Sequence, residues 1–120
     1  MAEIILVTSG KGGAGKSSFT AGISRALAAD GKKVLAIDCD IGLRSLDLLL
    51  GVSDKVVFDW GDLLLGRCTA EQAVVSAEVD LLAAPSRFND AFTPEAVSET
   101  VKPFKSKYDY IFIDSPAGID

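Results

Sequence analysis

Gly10-Lys11-Gly12-Gly13-Ala14-Gly15-Lys16-Ser17 is the stretch on which the reading of this chain turns. It fits the G-x-x-x-x-G-K-[ST] pattern, between a short apolar run, Ile4 to Val7, and a segment of helical patterning that opens near Ser17. Strand, glycine-rich turn and helix in that order make a phosphate-holding unit. The glycines let the backbone curl with its N–H groups pointing inward and no Cβ in the way, and the helix start adds its positive end. In such a unit Gly10, Lys11, Gly12, Gly13, Ala14, Gly15, Lys16, Ser17 and Ser18 surround the phosphates of a nucleotide. Lys16 bridges β- and γ-phosphate oxygens, and the Ser17 hydroxyl ligates Mg²⁺. The bland alternative is a glycine-rich connector that holds nothing.

Working outward, three more apolar runs follow the first: Val34 to Ile37, Leu81 to Ala84 and Tyr110 to Ile113. None alternates with polar residues, so each is expected to be a strand buried on both faces of a helix-covered, parallel sheet. The segments between them carry helical signals. Phe19, Ile23, Ala26 and Leu27 share one face between Ser17 and Asp30, and Gly31 is placed as a stop. Ser45 to Leu50 starts another helix, and Trp60 to Leu65 a short one ended by Gly66. Thr69 caps a helix over Ala70 to Val75. Thr93-Pro94-Glu95 reads as N-cap and first-turn proline, with Pro103 ending that helix near Lys102. The expected architecture is α/β: a P-loop NTPase fold with a mostly parallel sheet and helices on both faces.

A chain of 120 residues has room for one core and one site. Its hydrophobic share of 48% and charged share of 24% match a folded globular chain rather than a disordered one. A net charge of -5 repels nucleic acid backbones and anionic lipid, so no nucleic-acid partner is expected and phosphate binding must be local. With no histidine, the commonest general base and zinc ligand are absent. Chemistry falls to carboxylates, lysines, hydroxyls or a bound metal. Cys39 and Cys68 stand apart in no C-x-x-C pattern and read as reduced, mostly buried thiols of a cytoplasmic protein. The amino terminus lacks a basic region and a signal-peptide apolar segment, and no run has membrane-span length.

Asp114 ends the last apolar run and is expected to project from the carboxyl edge of its strand, where it would hold magnesium through a water. Asp38 and Asp40 follow the second run in the same way, and alternate residues there point to one side. One of them is the natural group to orient an attacking water; equally, each could cap the next turn. Lys11 is not required by an ordinary phosphate loop. It is either one more solvated cation or a charge that reaches the phosphates held by a facing subunit, as an arginine finger does.

With that lysine, Lys11-Gly12-Gly13-Ala14-Gly15-Lys16-Ser17 resembles the deviant phosphate loop of the ParA/MinD superfamily of ATPases. Asp38-Cys39-Asp40-Ile41-Gly42-Leu43-Arg44-Ser45-Leu46-Asp47 is similar to switch I of the septum-site-determining branch of that superfamily, and Asp114-Ser115-Pro116-Ala117-Gly118-Ile119 to its switch II. Ser45 stands where the family usually has Asn, and Asp120 where it usually has Glu. The resemblance implies ATP and Mg²⁺ as cofactors and slow ATP hydrolysis that works a dimerisation switch placing the cell-division site. It implies Lys11, Lys16 and Asp40 as catalytic, with Lys11 acting across an ATP-dependent homodimer and Asp40 activating water. Ser17, Asp38 and Asp114 become the metal set. Asp38, Asp40, Gly42, Arg44, Asp114, Pro116 and Gly118 become switch residues, Gly118 sensing the γ-phosphate through its backbone N–H. Partners implied are regulatory cell-division proteins of the Min type, and the membrane's inner face only through a C-terminal amphipathic helix that this chain lacks. Because such ATPases are about twice this length, residues 1–120 are expected to be the N-terminal part of a P-loop ATPase domain, truncated and with exposed sheet edges. Adenine rather than guanine rests on the resemblance alone. A partitioning ATPase would want a basic DNA-binding face, and an iron–sulfur carrier paired cysteines. A non-catalytic module would bind through the Leu46 to Leu50 and Trp60 to Leu65 surfaces, if those leucines are not simply core.

Overall fold

The computed structural model describes residues 2–7, 14–41, 46 and 49–115, the backbone alone at 14–17. Its strands are β1 (Glu3–Val7), β2 (Val34–Asp38), β3 (Asp80–Leu82) and β4 (Tyr110–Asp114). They form one sheet in the order β1-β4-β2-β3, every neighbouring pair parallel. An isolated antiparallel bridge joins Val75 to Leu81. The helices are α1 (Ala14–Ala29), α2 (Trp60–Leu64), α3 (Ala70–Ala73) and α4 (Pro94–Val101), the last running into a 3-10 turn at Lys102–Phe104.

Both faces of the sheet are covered. On one, Ala21 of α1 packs with Val34, Ala36, Leu81 and Phe112. On the other, Trp60, Ala73, Val101 and Phe104 pack on Leu35, Ile37 and Ile111. β2 is buried at every position, as expected for a continuous apolar run. β1 is not. It lies at the edge of the sheet, and Ile4 and Leu6 are 41% and 55% exposed. Hydrophobic content alone does not reveal whether a strand has one neighbour or two.

Local rules account for the helix ends. Thr69 and Gln72 make a reciprocal capping box, as do Asp59 and Asp62. Thr93 accepts from the Ala96 N–H, with Pro94 in the first turn. α1 stops where Gly31 takes φ 86°, so that the Gly31 N–H donates to the Ala28 carbonyl and the Lys32 N–H to that of Leu27. Gly66 ends α2 in the same manner at φ 78°. α3 is shorter than the Ala70 to Val75 span expected, because Val75 leaves the helix to bridge Leu81. The strand expected at Leu81 to Ala84 pairs over Asp80–Leu82 instead, although Ala83 and Ala84 remain buried. Of the helix expected over Ser45 to Leu50, Ser45, Asp47 and Leu48 lie outside the described residues, while Leu46 and Leu49 are helical and the Leu50 N–H donates to the Leu46 carbonyl at 2.9 Å.

The buried face of α1 differs from the one expected. Phe19 is 59% exposed and Ile23 36%, whereas Thr20, Ala21 and Ser24 are buried, with Leu27 and Ala28 partly so. Small side chains let the helix axis approach β2 and β4 closely, and that contact outweighs the larger but misplaced apolar stripe. Among the described residues no helix is long and apolar enough to cross a membrane.

Candidate nucleotide site

The parallel register brings three strand ends to one level. Val7 of β1 pairs with Asp114 of β4, and Asp114 with Asp38 of β2. The described chain leaves this level at Val7 and resumes with α1 at Ala14. Paired residues of a parallel sheet share a face. Asp38 and Asp114 therefore point the same way as Ala36 and Phe112, toward α1.

Both carboxylates are buried, Asp38 at 1% exposure and Asp114 at 0%. The Asp38 Oδ1 accepts the Asp40 N–H at 3.0 Å and its Oδ2 accepts the Leu46 N–H at 3.1 Å, so this side chain pins both ends of the segment after β2. The Asp38 main-chain carbonyl accepts the Trp60 indole N–H at 2.7 Å. Cys39 N–H donates to the Asp114 carbonyl at 2.8 Å, and Ser115 N–H to that of Val7 at 3.0 Å, continuing the ladder past all three strand ends. Burial pushes the Asp38 carboxyl above its ordinary value of 3.8, and the charges of Asp114 and Asp40 add to that; the two main-chain N–H bonds pull the other way.

Two buried carboxyl groups side by side favour a cation between or above them. All their donor atoms are oxygens, which suits a hard ion such as Mg²⁺ that keeps several waters and takes one or two carboxylates. Among the described residues no cluster of three or more His, Cys, Asp or Glu could cage a metal by itself. The pair fits an ion whose remaining ligands come from phosphate and water.

Asp38, Asp40 and Asp114 are thus brought together, Asp40 half-buried and held to Asp38 through its own N–H. Ala14, Gly15, Lys16 and Ser17 form the first turn of α1 and Ser18 follows, exposed. Gly10, Lys11, Gly12, Gly13, Gly42, Arg44, Pro116 and Gly118 lie outside the described residues. Cys39 and Cys68 form no disulfide and are half-buried rather than mostly buried, being placed at a strand end and a turn. Of the surfaces a non-catalytic module would use, the first residues, Leu46 and Trp60, are core at 0% and 3% exposure, whereas Leu49 is 37% exposed and Leu63 and Leu64 are half-buried.

Two features near the site were not legible in the sequence. One is Trp60, whose bond to Asp38 spans 22 residues of sequence; its one advance signal is that it is the sole tryptophan, at the start of a capped helix. The other is an apolar groove of about 420 Å³ on the face opposite α1, lined by Leu6, Cys39, Trp60, Phe88, Phe92 and Ile113.

Residues 5–113 match the CobQ/CobB/MinD/ParA nucleotide binding domain. The septum site-determining protein MinD of Synechocystis is 48% identical over all of this chain and 47% of its own length. That of Bacillus subtilis is 42% identical over the same shares. Among solved structures, the Pyrococcus horikoshii MinD complexed with Mg-ADP superposes with a TM-score of 0.86 at 39% identity, covering 100% of this chain and 51% of that one. The MinC:MinD complex of Aquifex aeolicus gives 0.85 at 46% identity, covering 99% and 49%. The chain spans about half the length of the curated relatives it matches.

Proposed function

This chain belongs to the CobQ/CobB/MinD/ParA nucleotide-binding family, among relatives of the septum-site-determining MinD kind, and on that premise we propose that it is the phosphate-holding part of an Mg²⁺-dependent ATPase switch for division-site placement. The observation that carries the reading is the common level of Val7, Asp38 and Asp114, with both carboxylates facing the helix that follows the glycine loop.

In this reading the backbone N–H groups of Gly10 to Ser17 and the start of α1 hold the β-phosphate, and Lys16 neutralises the β- and γ-oxygens. Ser17, Asp38 and Asp114 hold Mg²⁺, which when bound offsets charge on the phosphate oxygens. Asp40, fixed by its N–H bond to Asp38, accepts a hydrogen bond from the attacking water. The water oxygen bonds to the γ-phosphorus as the bond from that phosphorus to the bridging oxygen breaks, and the water's proton passes by way of Asp40 to solvent, leaving ADP and phosphate. Lys11 adds charge from a facing subunit in an ATP-dependent homodimer, and Gly42, Arg44, Pro116 and Gly118 report the γ-phosphate to that interface. The relative from Aquifex forms a complex with MinC; a regulator of that type is the proposed partner here. The protein would act in the cytoplasm and at the inner membrane face, the latter through a segment of its longer relatives.

The test compares this chain, alone and joined to the remaining half of the Synechocystis relative, for Mg-ATP binding and phosphate release. Lys16→Ala should abolish binding. Asp40→Ala should keep nucleotide affinity while phosphate release drops by roughly a hundredfold or more. Retained turnover in both variants would reject the proposal.

A further inference from the structure

We infer that Trp60 is a positioning residue for the nucleotide site: its indole N–H replaces the ladder hydrogen bond that β3 stops supplying and so clamps the carboxyl end of β2, where Asp38 and Asp40 sit. The role of those two aspartates rests on the proposed function; the clamp itself rests on geometry.

Successive residues of a strand direct their main-chain groups to opposite neighbours. Cys39 N–H goes to Asp114 on β4, so the Asp38 carbonyl faces the β3 side. Pairing with β3 ends at Ile37 and Leu82, one residue too early to satisfy it. The Trp60 Nε1–H takes the vacant place at 2.7 Å, while the Trp60 main-chain N–H donates to the Ala83 carbonyl at 3.0 Å, just past β3. One residue thereby ties the exits of two adjacent strands. Trp60 is 3% exposed, and its ring meets Phe92 edge-on, centroids 4.9 Å apart. Space-filling alone asks only for an aromatic ring; the polar atom is aimed at the one carbonyl whose residue also holds Asp40 and Leu46 through its carboxylate. Slackening that carbonyl lets the whole Asp38 residue rotate and carries the Asp40 amide with it.

Amide exchange tests the clamp without any ligand. In Trp60→Phe, which keeps a ring against Phe92 and deletes the donor, the Asp40 and Leu46 amides should exchange roughly tenfold faster while those of Leu35 and Ile111 stay as they were. Phe92→Leu, which loosens the packing and keeps the donor, should not single out Asp40 and Leu46. In the unmutated chain the lone indole N–H should be as protected as the β2 amides. With Mg-ATP, Trp60→Phe should lower phosphate release roughly tenfold with nucleotide affinity within about twofold. An indole that exchanges freely, a uniform loss of protection, or the same pattern from Phe92→Leu overturns the clamp, and so does equal loss of affinity and turnover. An unmutated chain that binds no nucleotide overturns the proposed function instead, and the clamp then stands or falls on exchange.

Discussion

Replacing Gly61 with alanine should destabilise this protein even though alanine is the better helix former. An ideal Cβ at position 61 would lie 2.6 Å from Phe92 Cζ, 2.8 Å from Pro85 Cγ and 3.0 Å from Asp59 Oδ1. None of the three can yield cheaply. The Phe92 ring is held edge-on against Trp60 and Pro85 is a buried, rigid ring. Asp59 Oδ1 accepts the Asp62 N–H at 2.9 Å in the capping box. Overpacking a filled site costs about 1–3 kcal/mol, and disturbing an N-cap about 1 kcal/mol, against a propensity gain of about 1 kcal/mol. The balance is a loss of about 1–3 kcal/mol, or about 4–12 °C in Tm for a domain of this size. Gly22→Ala is the matched control. That glycine is exposed within the 16-residue α1, with nothing within 4 Å of the added Cβ, and the same substitution there should stabilise by about 0.5–1 kcal/mol. Urea unfolding followed by Trp60 fluorescence and by circular dichroism measures both. If Gly61→Ala matches or exceeds the unmutated chain, the close packing at the start of α2 is wrong.

The hydroxyl of Tyr108 donates to Asp80 Oδ2 at 2.8 Å, and burial first, then that carboxylate, pushes its pKa well above the ordinary 10.0. Below that value both states keep the proton and the contribution to stability is intact; above it the unfolded chain releases a proton that the fold retains, so stability falls. Unfolding curves from pH 9 to 11 should therefore drop more steeply for the unmutated chain than for Tyr108→Phe, and parallel curves would contradict the shift. At the open edge of the sheet, Leu6→Lys should reduce concentration-dependent association in sedimentation while Tm hardly moves, because the side chain is already 55% exposed. Unchanged association would mean that the β1 edge is not what drives it.

Short-range information decided a good deal here. Capping at Thr69 and Thr93, the glycine stops at 31 and 66 and the break near Pro103 each depend on interactions spanning a turn or two, so they could be read from neighbouring letters. The apolar runs likewise named the strands, and their lack of alternation the parallel, helix-covered sheet. Family membership was legible from the glycine loop and the two aspartate segments, and the match over residues 5–113 bears it out. Tertiary structure decided the rest. That α1 lays Thr20, Ala21 and Ser24 on the sheet and leaves Phe19 outside depends on how closely a helix axis can approach two strands. That β1 is an edge depends on strand order. Above all, Asp38 is at once a strand end, a staple to Leu46 and the acceptor for Trp60, groups 8 and 22 residues away. Such contacts arise only once register has brought distant segments to the same level, and no periodicity along the chain encodes them.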